Sequence, residues 1–172
     1  DDPVLVAHHL TLARAAVIAG DLPVAAEEVD AARDRAGDPP DPAVASRVDV
    51  VAAHIALDAG DLAAAADLAE RARIGADATG QPDVACDATL VLGRVVRARE
   101  WSDSMARFEE AARIAEGAGL ASWHLRARQE VASSSWITGD TAPLHELRST
   151  AARYGEVTTV TQIDLALADM AL

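Results

Sequence analysis

The sequence contains no lysine: all 15 basic side chains among its 172 residues are arginine. Every lysine-dependent mechanism is thereby removed, although the bias itself reads as a preference for GC-rich codons. Cys86 is the single cysteine, so no intrachain disulfide can form, and a reducing compartment, the cytoplasm, is the expected location. Aromatic residues make up only 3%, so the core has to be built from small side chains. Apolar runs are short. Asp, Arg or His interrupts each one, such as 48–56, well before the ~20 residues that a membrane span requires, and no membrane association is expected. Basic charge is also scarce. With 28 acidic residues the net charge is -13 and the pI about 4.6; such a surface repels a phosphate backbone, and direct nucleic-acid binding is not expected.

What is abundant is small and apolar. Hydrophobic residues make up 51% of the chain, and alanine alone roughly a quarter. Alanine loses no rotamer freedom on becoming helical, which favours helix and nearly excludes an all-β fold. The length suits one domain or one compact repeat array. The chain opens on Asp1-Asp2-Pro3 without an initiator methionine and ends inside an apolar pattern at Leu172, as expected for a piece of a longer protein.

A period near forty residues runs through it. Asp2-Pro3, Asp41-Pro42 and Gln81-Pro82 recur at steps of 39 and 40, each opening an apolar stretch. Asp as N-cap and Pro at the first helical position form a helix-start pair. Gly20-Asp21, Gly60-Asp61, Arg99-Glu100 and Gly139-Asp140 follow at steps of 40, 39 and 40. A glycine can close a helix in the left-handed conformation, and the Asp after it can accept from the free amides of the next helix. Ala32, Ala72, Ala111 and Ala151 repeat at 40, 39 and 40, each with apolar residues before it at helical spacing, for example Leu22, Ala25 and Val29. The reading is all-α: an α-α superhelix, a solenoid of four helical hairpins at about 3–39, 42–79, 82–118 and 120–155, with a ninth helix at 157–172. Small residues at the repeated positions let helices approach to the ~8–10 Å of packed pairs.

The pattern Gly-Asp-Leu-x-x-Ala-x-x-x-x-x-x-Ala across 60–72, followed also by 20–32, resembles the tetratricopeptide (TPR) motif. TPR units usually run 34 residues, and the longer period here resembles the variant TPR region of large ATP-binding regulators of the LuxR type, the MalT-like branch of the signal-transducing ATPases. The stretch Phe-Glu-Glu-Ala-Ala-Arg-Ile-Ala-Glu-Gly-Ala-Gly-Leu at 108–120 and Gln-Ile-Asp-Leu-Ala-Leu-Ala at 162–168 are similar to that branch. The resemblance implies a nucleotide-binding module on one side, a helix-turn-helix on the other, and a repeat region between them that senses an inducer or partner. Only that middle part would lie here. A P-loop needs a lysine, this chain has none, and no LuxR-type recognition helix is found.

Residues with catalytic or metal-binding potential form no pattern. His8, His9, His54, His124 and His145 include no i, i+4 pair and no HExxH, so no metal is expected. Cys86, beside Val84 and Ala85, reads as a buried inert thiol. Ser133-Ser134-Ser135 lacks the glycines of a nucleophile elbow. Gly117 and Gly119 read as an inter-repeat turn, and Glu27-Glu28 and Glu109-Glu110 as solvated outward charge. Trp123 and Trp136 read as core anchors. No catalytic residue and no cofactor is assigned.

Were the hairpins to stack as TPRs do, the first helix of each would line a concave face. Arg14, Arg47, His54, Asp58, Arg97, Arg126 and Gln129 are expected to point into it. Arginine's planar fork suits carboxylates or phosphates, so a protein or peptide partner or a small anionic effector is one expected occupant. In the alternative, these arginines pair with Asp or Glu of neighbouring helices. The ninth helix, with Val160, Ile163, Leu165, Leu167, Met170 and Leu172, carries apolar surface for further repeats or for self-association. The expected function is a non-catalytic sensor module of a transcriptional regulator; a structural spacer that oligomerises through its ends is the alternative.

Overall fold

The computed structural model describes residues 2–133 and 140–170. Ser134, Ser135, Trp136, Gly139 and Leu172, singled out above, lie outside the described residues. Within them the chain is all-helical, with α1 (Pro3–Ala19), α2 (Leu22–Arg35), α3 (Pro42–Asp58), α4 (Leu62–Thr79), α5 (Pro82–Val96), α6 (Trp101–Gly117), α7 (Ala121–Ser133), α8 (Ala142–Arg153) and α9 (Val157–Met170). Neighbouring helices pack in sequence order, and each odd helix also touches the next odd one. Odd helices therefore form one layer of the superhelix and even helices the other. No helix among the described residues is long and apolar enough to cross a membrane.

Local chemistry sets the boundaries. Asp2 Oδ1 accepts from the amides of Val4 and Leu5 at 3.1 and 3.2 Å, and Asp41 Oδ1 from Ala43 at 2.8 Å, each ahead of a proline at the start of its helix. At the Gly-Asp turns, Gly20 and Gly60 adopt φ of +77° and +81°, where a side chain is strained. The turned chain lets the amides of Asp21 and Asp61 donate to Ala16 O and Ala56 O, both at 2.9 Å. Asp21 and Asp61 then cap α2 and α4 by accepting from Val24 and Ala64.

Gln81-Pro82 opens α5 as expected, but Gln81 differs from Asp2 and Asp41. Its side chain does not cap α5; Nε2 donates instead to Ala43 O at 3.1 Å and to Thr79 Oγ1 at 2.8 Å, tying the start of α5 to that of α3. An amide is long enough to reach the neighbouring hairpin, as the shorter Asp at 2 and 41 is not.

The small-residue positions form the seam between layers. Ala32, Ala72, Ala111 and Ala151 are all fully buried. So are Ala25, Ala65, Ser104 and Leu144, the corresponding residues seven positions earlier in the second helix of each hairpin. Ser104 is the polar exception, and its Oγ has no hydrogen-bond partner among the described residues. Ser104→Ala, which installs the residue found at 25 and 65, should stabilise the chain by ~1 kcal/mol, because an unsatisfied buried hydroxyl is removed. Differential scanning calorimetry should register this as a rise of about 2–4 °C in Tm. A lower Tm would mean that the hydroxyl has a partner.

Candidate functional site

The odd helices present one face to each other. On α3, Arg47, His54 and Asp58 share it at steps of seven and four residues. Arg14 reaches from α1, past α3, to Asp87 on α5, with Nη1 at 2.9 Å from Oδ2. An arginine can span two helices this way only if the layer curves so that its inner side chains converge. Several paired ionisable groups line this concave side.

Asp87 lies at its centre, fully buried in α5. His54 Nε2 donates to Oδ1 at 2.9 Å. Arg14 contributes an ion pair without hydrogen-bond alignment, and Oδ2 accepts no hydrogen bond from any described group. Burial alone would push the Asp87 carboxyl up. The field and hydrogen bond of His54, joined by Arg14 and Arg126, outweigh it and hold the group far below the usual carboxylate range.

A pair and a triad flank this centre. Arg47 Nη1 donates to Asp83 Oδ2 at 3.1 Å on one side. On the other, Glu130 of α7 accepts from Arg94 Nε at 2.8 Å and from Arg97. Burial would raise the Glu130 carboxyl, but Arg94 and then Arg97 hold it below its ordinary value. Arg97 lies over the Phe108 ring at 4.8 Å, and Arg126 over Trp123 at 4.6 Å. The ion pairs of Arg47 and Arg94 each join one odd helix to the next.

Of the expected groove residues, Arg14 and His54 thus meet at Asp87, and Arg126 acts on the same carboxylate from α7. Arg47 and Arg97 are paired with carboxylates of the next odd helix. Asp58 is exposed at the end of α3 and Gln129 half-buried on α7. The acids Asp83, Asp87 and Glu130 were not singled out from the sequence. Asp87 had a signal: it is the lone charge in the run Val84 to Val91, and a charge inside a helix buried on all sides has to be paired.

The other candidates stand apart from this face. Burial pushes the Cys86 thiol up to about 12, and Sγ sits 3.4 Å from Ala111 O, an unreactive environment. Glu28, expected in solvent beside Glu27, turns to His9 instead, whose Nδ1 donates to it at 2.6 Å. His124 Nδ1 donates to Ala112 O at 3.1 Å. Trp123 is half-buried. Among the described residues no three His, Cys, Asp or Glu side chains are grouped to hold a metal ion. Compared with known proteins, the chain matches no family model, no curated protein and no solved structure.

Proposed function

We propose that this chain is a non-catalytic sensor module, in which the concave face of α1, α3, α5 and α7 binds a protein or peptide partner or a small anionic effector. The observation that carries the reading is the meeting of Arg14 from α1 and His54 from α3 at the buried Asp87 of α5. Taking a carboxylate out of water costs several kcal/mol before its partners offset it, and apolar residues would close a stack at less expense. The ion pairs instead make the spacing of successive hairpins depend on what meets this face. An occupant with higher affinity for one curvature shifts the stack toward it by that difference in affinity. The TPR-like and MalT-like stretches support placing the module in a cytoplasmic LuxR-type transcriptional regulator.

A thermal-shift screen of acidic peptides and anionic metabolites tests the reading. A ligand of the folded state adds RT ln(1 + [L]/Kd), or about 2.7 kcal/mol at one hundred times Kd. The expected result is a saturable rise in Tm that is lost in Asp58→Trp. That substitution fills the face with uncharged bulk at an exposed residue and breaks no native ion pair. Hits that survive it would place binding elsewhere.

A second reading, a spacer that associates through its ends, is favoured by uncovered apolar side chains there. Val4 and Ile18 of α1 are 75% and 87% exposed, and Val157 and Leu165 of α9 are 74% and 62% exposed. Light scattering separates the two: mass that grows with concentration, without any ligand-induced shift, supports the spacer.

A further inference from the structure

One helix face of the stack is both uncovered and uncharged. α1 buries Val6, Leu10 and Ala13 in the core it shares with α2 and α3. On its opposite side, Ile18 and Val4 are the two most exposed large apolar side chains among the described residues, and Leu5 and Leu12 are also exposed. From Val4 to Ala19 the exposed residues of α1 include no Asp, Glu or Arg, whereas every other helix with exposed residues among those described displays at least one. The outer helix of a repeat stack ordinarily turns a polar face to water. An apolar stripe in that place calls for a partner.

Two properties single out a second copy of this chain as the partner. The first is charge. With a net charge of -13, two copies repel wherever their acidic surfaces meet, but the outer face of α1 brings no carboxylate to the contact. The second is spacing. Val4, Thr11 and Ile18 follow at steps of seven and share one stripe, with Ala7 and Ala15 four residues on either side of Thr11. Reversed about Thr11, this order repeats itself. In an antiparallel pair Val4 comes opposite Ile18 of the partner subunit, and Ala7 opposite Ala15 of the partner subunit. Small residues around the centre let the two helices approach to ~8 Å, while the larger ones close the ends.

Resting on the reading of association through the ends, we infer that the chain forms a closed two-fold dimer in which α1 packs antiparallel on α1 of a second copy, centred on Thr11. Such a contact is isologous and stops at two copies. A helix of 17 residues is about 25 Å long and ~10 Å wide, a footprint well short of the ~1,200–2,000 Å² that stable interfaces bury. The dimer is therefore weak and exchanging, with a Kd on the order of 10–100 μM.

Sedimentation equilibrium of the whole chain, at concentrations spanning that Kd, tests the pairing. The mass should saturate at twice that of the monomer, and association should tighten with added salt, because net repulsion is screened and the contact contains no ion pair. Ile18→Ser acts at both ends of a two-fold contact and should weaken the dimer at least about ten-fold. Ile74→Ser, at an exposed isoleucine of α4, should leave it unchanged; both variants should keep the circular dichroism of the parent. Oxidative cross-linking fixes the geometry. Thr11→Cys should form a covalent dimer rapidly, whereas Ile18→Cys, although 87% exposed at that position, should lag, because the antiparallel pair holds its two copies ~21 Å apart. Cys86 is buried and takes no part. A monomer at every concentration would overturn the pairing and the end-association reading together, leaving α1 to an unlike partner. Mass that grows past two copies and is lost in Leu165→Ser of α9 would overturn the two-fold pairing but keep association through the ends. Linking of Ile18→Cys as fast as Thr11→Cys, or a tighter dimer at low salt, would overturn the pairing as well.

Discussion

Asp87→Asn should lower the stability at neutral pH by about 2–3 kcal/mol, at or just below the ~3–5 kcal/mol typical of breaking a buried ion pair. The effect stays below the full penalty because Arg14 is already 38% exposed and can turn to water. For a chain of this length that corresponds to a fall in Tm of about 5–10 °C. The pH dependence is more specific. The folded Asp87 carboxyl lies far below its unfolded value of 3.8, so its contribution is complete above that value. It is lost as the pH falls through the acid range toward the folded pKa, because the unfolded chain takes up the proton first. Urea unfolding at pH 7 and pH 3, followed by circular dichroism, should show the parent losing more stability than the variant. The variant retains only the smaller acid loss due to groups such as Glu130. Equal losses would show that Asp87 is not held ionised.

Phe108→Ala should have the largest effect of any single truncation, about 3–5 kcal/mol. Phe108 is the largest fully buried side chain among the described residues, in a core otherwise made mostly of alanine, valine and leucine. Its ring lies against Gly93, where an added Cβ would come within 2.5 Å of Cε1, and Arg97 covers it at 4.8 Å. Removing the ring opens a cavity and takes away the platform beneath Arg97, whose Nε already lacks a partner. The thermal transition should fall by about 8–16 °C. The double-mutant cycle with Gly93→Ala carries a sign test. Alone, Gly93→Ala should destabilise by about 1–3 kcal/mol through overpacking, despite alanine's higher helix propensity. In the Phe108→Ala background the same methyl enters vacated space and should stabilise. Additive effects would contradict this packing.

The architecture was legible because it depends on local chemistry repeated at a fixed period. Gly20-Asp21 and Gly60-Asp61 state both a helix end and the next helix's cap, and Ala32, Ala72, Ala111 and Ala151 mark the seam. The bond of Gln81 to Ala43 O was not legible, because it joins residues 38 positions apart, which no local pattern encodes. The concave site was half legible. Helical phase places arginines on one face, but which carboxylate each one meets depends on curvature, and Arg14 reaching Asp87 past α3 is a consequence of that curvature alone. Asp83 and Glu130 are hidden for the same reason: on their own helices they look like ordinary solvated acids.

The reach of Arg14 to Asp87 also bears on how the chain would respond to tension. Hairpins that touch only their neighbours peel from a stack one at a time when its ends are pulled apart. Here a clasp from the first hairpin fastens to the third. Optical-tweezer traces should therefore show the opening three hairpins rupturing together in one long step, with the region beyond α6 paying out separately, and Arg14→Gln should split that long step into shorter ones.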